Sequence, residues 1–284
     1  MTLTPLKIAA AVALPLLLAA PASAAEVTIP FDADNFPDPP AINNITNQFW
    51  PLPVGRMFTY RAETPDGCEW SIVTVTPDTE LITIEGETLL AREVSDFEYE
   101  DEACDGPDDI ELSEKTFDWY AQDNAGNIWY MGEDTQNCNG ENSCTPGSGR
   151  WKAGEDVQGS GTNAEPGIIM LATPTSGDSY RQEFYEGFAE DLAKIMGKNA
   201  AVELRSEDAI SPGEWDNCLV TKEWNTLEGG SIEQKYYCVG GGVGLVLVTE
   251  HSGKTVRFEQ VDPAAAAAAQ AEDAFQFRKV PGTR

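Results

Sequence analysis

From Gly55 onward, apolar and polar residues alternate in short runs broken by turn residues. A spacing of roughly 8–12 residues between such runs marks an antiparallel sheet protein. Met57–Arg61, Trp70–Thr76, Leu81–Ile84 and Thr88–Val94 are runs of this kind. The clearest hairpin spans Phe117–Gly132, where two strands flank the turn-rich Asp123–Asn127. Centred on Ala125, it puts Phe117, Trp119 and Ala121 on one face with Trp129 and Met131. Asp118, Tyr120 and Gln122 share the other face with Ile128 and Tyr130. Tyr120 then stands opposite Tyr130, a favourable cross-strand pair. The strongly apolar face is the one expected to pack.

A second hairpin runs from Cys218 to Cys238 and sets Val220 opposite Tyr236 and Trp224 opposite Ile232. A third joins Leu245–Glu250 to Thr255–Val261 through a turn at Ser252-Gly253. Residues Ser179–Lys198 carry two periods. Tyr180, Phe184, Phe188 and Leu192 recur every fourth residue as in a helix, whereas Ala189, Asp191, Ala193 and Ile195 alternate. Gly187 interrupts the helical pattern, and the segment reads as strands bent there. One helix is expected, with Asp262 as N-cap, Pro263 at the first position and Ala264–Ala269 leading towards Phe275. The fold class is mainly β, an antiparallel curved sheet or open barrel with hairpins and a short C-terminal helix.

Ahead of these elements, Lys7 precedes an apolar run from Ile8 to Ala20 and the Ala22-Ser23-Ala24 cleavage pattern. Residues 1–24 therefore read as a secretory signal peptide, too short in its apolar part to span a bilayer core of ~30 Å. No cysteine stands directly after the cleavage pattern, so no lipid anchor is expected. Residues 25–54 are rich in Pro, Asn and Asp and read as an extended arm, 55–262 as the β domain, and 263–284 as an Ala-rich tail. Pro37, Pro39 and Pro40 keep Asp32, Asp34 and Asp38 from forming a compact calcium loop.

Export changes the reading of the six cysteines. An even number outside the cytoplasm reads as disulfides. Local geometry favours Cys138 with Cys144 and Cys218 with Cys238, which leaves Cys68 with Cys104. The chain has no C-x-x-C and a single histidine, so zinc is a poor rival. With 48 acidic residues against 18 basic ones, the net charge is −30. Such a surface repels nucleic acid and anionic membranes.

Candidate chemistry is sparse. His251 stands alone beside a turn, which restricts triads and metal sites. Gly240–Gly244 is followed by a Leu-Val-Leu-Val strand and lacks the helix a phosphate loop needs. In the acidic run Glu98–Glu114, Asp105, Asp108 and Asp109 are candidate calcium ligands, though without the D-x-D-x-D-G register. Trp119, Trp129, Tyr120, Tyr130 and Trp224 are candidate ligand-binding aromatics, a role that competes with core packing.

Several phrases act together: Asp118-Trp-Tyr-Ala-Gln-Asp123, Gly126-Asn-Ile-Trp-Tyr130, Gly132-Glu-Asp-Thr135, Pro166–Leu171, Gly177–Glu183, Cys218–Trp224 and Gly242–Val246. In combination they resemble an uncharacterised family of secreted bacterial proteins over roughly residues 50 to 250. The chain departs from that pattern at Cys238-Val239-Gly240 and in a longer insert around Val157–Ala164. The resemblance implies a shared fold and no particular activity. The first functional expectation is an exported, non-enzymatic binding module for a small or lipophilic ligand, without a cofactor. Two alternatives stand beside it, a calcium-stabilised structural or envelope protein and a hydrolase using a carboxylate pair.

Overall fold

The computed structural model describes residues 26–37, 45–106, 110–140, 143–205, 212–229 and 231–259. The expected signal peptide, Asp108, Asp109 and the expected C-terminal helix lie outside them. A short 3-10 turn, Ala33–Asn35, and the small pair β1 (Ile45–Thr46) with β2 (Pro51–Leu52) precede the main sheet. Its first half comprises β3 (Met57–Thr64), β4 (Gly67–Ile84), β5 (Glu87–Asp101), β6 (Glu111–Gln122) and β7 (Ile128–Cys138). Short strands β8 (Cys144–Pro146), β9 (Trp151–Lys152), β10 (Gly167–Met170) and β11 (Ser179–Arg181) follow. The second half comprises β12 (Asp191–Leu204), β13 (Gly213–Asn225), β14 (Ile232–Cys238), β15 (Gly244–Glu250) and β16 (Thr255–Glu259).

Neighbouring strands run β10-β7-β6-β5-β4-β3-β16-β15-β14-β13-β12-β11, with β8 and β9 also laid against β7. Every ladder is antiparallel, and two meanders join where β3 pairs with β16. Among the described residues no ladder pairs β10 with β11, so the sheet is not closed into a barrel. The two ends nevertheless touch. The Glu165 N–H donates to the Phe184 carbonyl at 2.8 Å, and a Cβ on Gly167 would lie 1.8 Å from the Gln182 carbonyl oxygen.

Alternation along the strands separates two apolar clusters. The larger includes Val75, Ile82, Met131, Ile195, Leu219 and Val246. The smaller, Trp70, Ile72, Phe97, Tyr99 and Leu112, occupies the other face of β4–β6, with Cys138 and Cys144 packed against it. The described parts of the expected arm pack as well. Phe31 and Phe36 each meet Trp129 with ring centroids 5.8 Å apart, and Asn47 Nδ2 donates to the carbonyls of Gly126 and Leu171.

The hairpins pair as their alternation predicts: Tyr120 with Tyr130, and Val220 with Tyr236 and Trp224 with Ile232. Disulfides join Cys68 to Cys104, Cys138 to Cys144 and Cys218 to Cys238. Between β11 and β12 the chain turns at Gly187, whose φ of +79° favours glycine. One expectation needs correcting. Met131 is an extra residue in its ladder, so Trp119 pairs with Gly132 and Asp118 with Glu133. This bulge breaks the shared face assigned to Trp119 and Met131. Gly132 takes φ +136°, and a Cβ there would sit 2.4 Å from the Trp151 carbonyl oxygen, so its absence lets β9 lie close.

Candidate functional site

Strands β5 and β14 are separated in the sheet by β4, β3, β16 and β15, yet residues from both line one cavity of about 320 Å³. Val94, Asp96 and Glu98 of β5 alternate into it, beside Ser71 and Val73 of β4 and Asp118 and Tyr120 of β6. Leu245 and Val248 of β15 and Val256 of β16 supply an apolar wall. Trp50, Pro51 and Leu52 form a strap that also lines the hollow. Trp50 is fixed there by ring contacts with Tyr120 at 5.8 Å and Tyr237 at 5.4 Å.

A row of carboxyls continues from this cavity through the interior. Ser71 Oγ donates to Asp96 Oδ1 at 2.7 Å. Burial pushes the Asp96 carboxyl up to about 6, with Glu114 adding to the rise and the Ser71 bond opposing it. Burial, then the neighbouring Glu133 and Asp96, holds Asp118 well above the usual carboxylate range. Glu133 is pushed up to about 7 by burial, against hydrogen bonds from Tyr130 and Thr135. Burial likewise raises Glu183, reinforced by Glu133 and Asp191.

Geometry alone demands protons here. Tyr130 Oη lies 2.5 Å from Asp118 Oδ1 and 2.7 Å from Glu133 Oε2. A phenol carries one hydrogen. The hydroxyl donates to one carboxyl, so the other must donate to it and is protonated.

A second hollow of about 290 Å³ includes Glu183, Asp191, Trp224 and Asn225, and shares Glu233 and Lys235 with the first. Lys235 Nζ lies 3.0 Å from Glu223 and 3.2 Å from Glu233. Glu223 also accepts from Thr221 Oγ1 at 2.6 Å, Tyr237 Oη at 2.9 Å and Gln182 Nε2 at 3.1 Å. Burial opposes its charge, yet Lys235 and these donors hold its carboxyl below the usual range. Glu223 is thus saturated with partners, a structural pin.

The candidate aromatics are divided between roles. Tyr120 lines the first cavity, with Tyr130 stacked behind it at 4.8 Å, and Trp224 lines the second. Trp129 is buried and donates to Asp123 at 3.0 Å. Trp119 packs under Lys152, whose Nζ is 5.7 Å from its ring. Neither lines these hollows. Of the candidate aromatics, Tyr120 and Trp224 therefore line hollows, and the first cavity lies on the mixed face of the β6–β7 hairpin, the side of Asp118 and Tyr120.

In the acidic run, Asp105 is exposed. Its loop is organised by Asp101, which accepts from Trp70 Nε1 and from the backbone of Ala103, Cys104 and Gly106. Among the described residues no group of three or more ligating side chains is placed to hold a metal ion. Sequence reasoning passed over Asp96, Glu98, Glu133 and Lys235. A signal existed for the first two, since they share the alternation of Val94 in a strand whose other face is Phe97 and Tyr99. Compared with known protein families, curated proteins and solved structures, the chain shows no significant match to any of them.

Proposed function

We propose that the chain is an exported binding module, an open barrel whose concave face holds a small lipophilic ligand between β3–β6 and β14–β16. The carrying observation is the hollow of about 320 Å³, with Leu245, Val248 and Val256 on one side and Tyr120 and Val94 on the other. Small-molecule sites occupy ~300–1,000 Å³ and combine apolar walls with a few polar groups. Three disulfides suit an oxidising compartment and agree with the signal peptide read at residues 1–24. A hydrolase is less favoured. Asp118 and Glu133 are bridged by Tyr130, and Glu183 and Asp191 are hydrogen-bonded directly to each other, so neither pair leaves the ~5–10 Å gap that a substrate bond between two carboxyls needs.

Native mass spectrometry of protein purified from its own host tests this reading. Wild-type protein is expected to carry a releasable small molecule. A cavity-filling variant, Val94→Phe with Val248→Phe, is expected to keep its sheet circular dichroism and emerge bare. Wild-type protein that is bare from the host and takes up no lipophilic probe overturns the proposal.

A further inference from the structure

The charge in this cavity is unbalanced. Lys235 and Lys254 are the basic residues that line it. Lys235 pairs with Glu233 and Glu223 at 3.2 and 3.0 Å, and Lys254 with Glu250 and Glu69 at 3.4 and 2.5 Å. Both lysines are therefore committed. Asp96, Glu98 and Asp118 have no basic group within ion-pair distance among the described residues. Asp96 and Asp118 each use one oxygen, accepting from Ser71 at 2.7 Å and meeting Tyr130 at 2.5 Å, and the other oxygen has no partner among the described residues.

Other features of the wall point the same way. Trp50, Tyr60 and Tyr120 line the same space, and aromatic faces attract cations. Asp118, which lines this space, is only 7% exposed. The acids stand on β5 and β6, facing the apolar Leu245, Val248 and Val256 of β15 and β16. An anion would find both lysines already paired, whereas a cation would favour the charged forms of Asp96, Glu98 and Asp118, which burial disfavours at Asp96 and Asp118. A neutral lipid would leave the buried Asp118 and the half-buried Asp96 facing hydrocarbon, which is costly, while the exposed Glu98 keeps its water. No set of ligating side chains converges for a bare metal ion among the described residues.

We propose that the ligand is a small organic cation with an apolar body, an alkylammonium. Its charged head sits among Asp96, Glu98 and Asp118, and its chain lies against Leu245, Val248 and Val256. The inference rests on the binding-module reading and sharpens it from lipophile to lipophilic cation. A charge-assisted hydrogen bond in such a site is worth ~1.5–3 kcal/mol, about tenfold or more in affinity.

Isothermal titration of the full mature chain with n-octylammonium, n-octanol and octanoate decides it. Octylammonium is expected to bind at least ten times more tightly than octanol, with octanoate weakest. In the double variant Asp96→Asn with Glu98→Gln, that preference falls below about threefold while octanol binds as before, which also reports an intact fold. Equal binding of octanol and octylammonium, or a preference for octanoate, overturns the cation and leaves the lipophile reading standing. A full cation preference surviving in the double variant overturns the assignment to these acids. Failure of all three probes brings down both readings together.

Discussion

Tyr130 shows how much one misplaced residue changes the chemistry of the interior. Strict alternation about Ala125 would put Glu133 on the face of Phe117. The bulge at Met131 instead sets Glu133 opposite Asp118, with the Tyr130 hydroxyl between them. Nothing in the alternation announces that extra residue, so the pairing of the two acids was not legible. Asp118 beside Tyr120 was. Because Asp96 and Glu133 titrate near 6 and 7, above their ordinary values, each binds more protons folded than unfolded in the intervening range. Their stabilisation is complete below the ordinary carboxyl range and is lost as pH rises through about 6 and 7. Glu223 has the opposite sign and contributes only above its depressed value. The urea midpoint is therefore expected to fall between pH 5 and pH 8, and Glu133→Gln to flatten that fall. A midpoint that holds constant across this range contradicts the shared-proton geometry. Tyr130→Phe removes the bridge and leaves two buried carboxyls facing each other. It is expected to cost about 1–3 kcal/mol, more at pH 8 than at pH 5.

Hairpins were the most legible elements, because alternation and turn residues act over a few neighbours. Cys218 and Cys238 lie at the base of such a hairpin, with Cα atoms 4.0 Å apart. Closing a loop of this length stabilises by about 3 kcal/mol in the chain-entropy model. Replacing both cysteines with alanine is expected to lower the unfolding free energy by about that amount without changing far-ultraviolet circular dichroism. A loss under about 1 kcal/mol would show that the β13–β14 ladder holds its register unaided. The arm was less legible. Its prolines signalled extension, but its docking depends on partners distant in sequence, such as Phe31 and Phe36 against Trp129. Gly132 sets another close approach. A Cβ there would lie 2.7 Å from Lys152 Cα, so Gly132→Ala is expected to detach β9, with faster amide exchange at Ala153, whose N–H donates to Met131.

At the scale of the whole molecule, the β class, the strand periodicity and the disulfides followed from the sequence, whereas the order of strands did not. Alternation says which residues share a face. It does not say that Asp96 and Lys235 line one hollow, because that depends on how the two meanders are arranged. Contact between the sheet ends is similarly non-local. Gly167→Ala would force a Cβ against the Gln182 carbonyl, and it is expected to part the ends and lower the thermal midpoint by several degrees. An unchanged midpoint would mean that the ends are only loosely apposed. The pairing of β3 with β16 has a consequence in time. The first long strand of the chain must wait for the last described one before its outer edge is satisfied. A polypeptide emerging N-terminus first carries that edge open until Thr255–Glu259 has also emerged. Contacts so distant along the chain make for slow maturation, and such an open edge is a hazard for aggregation in the interval.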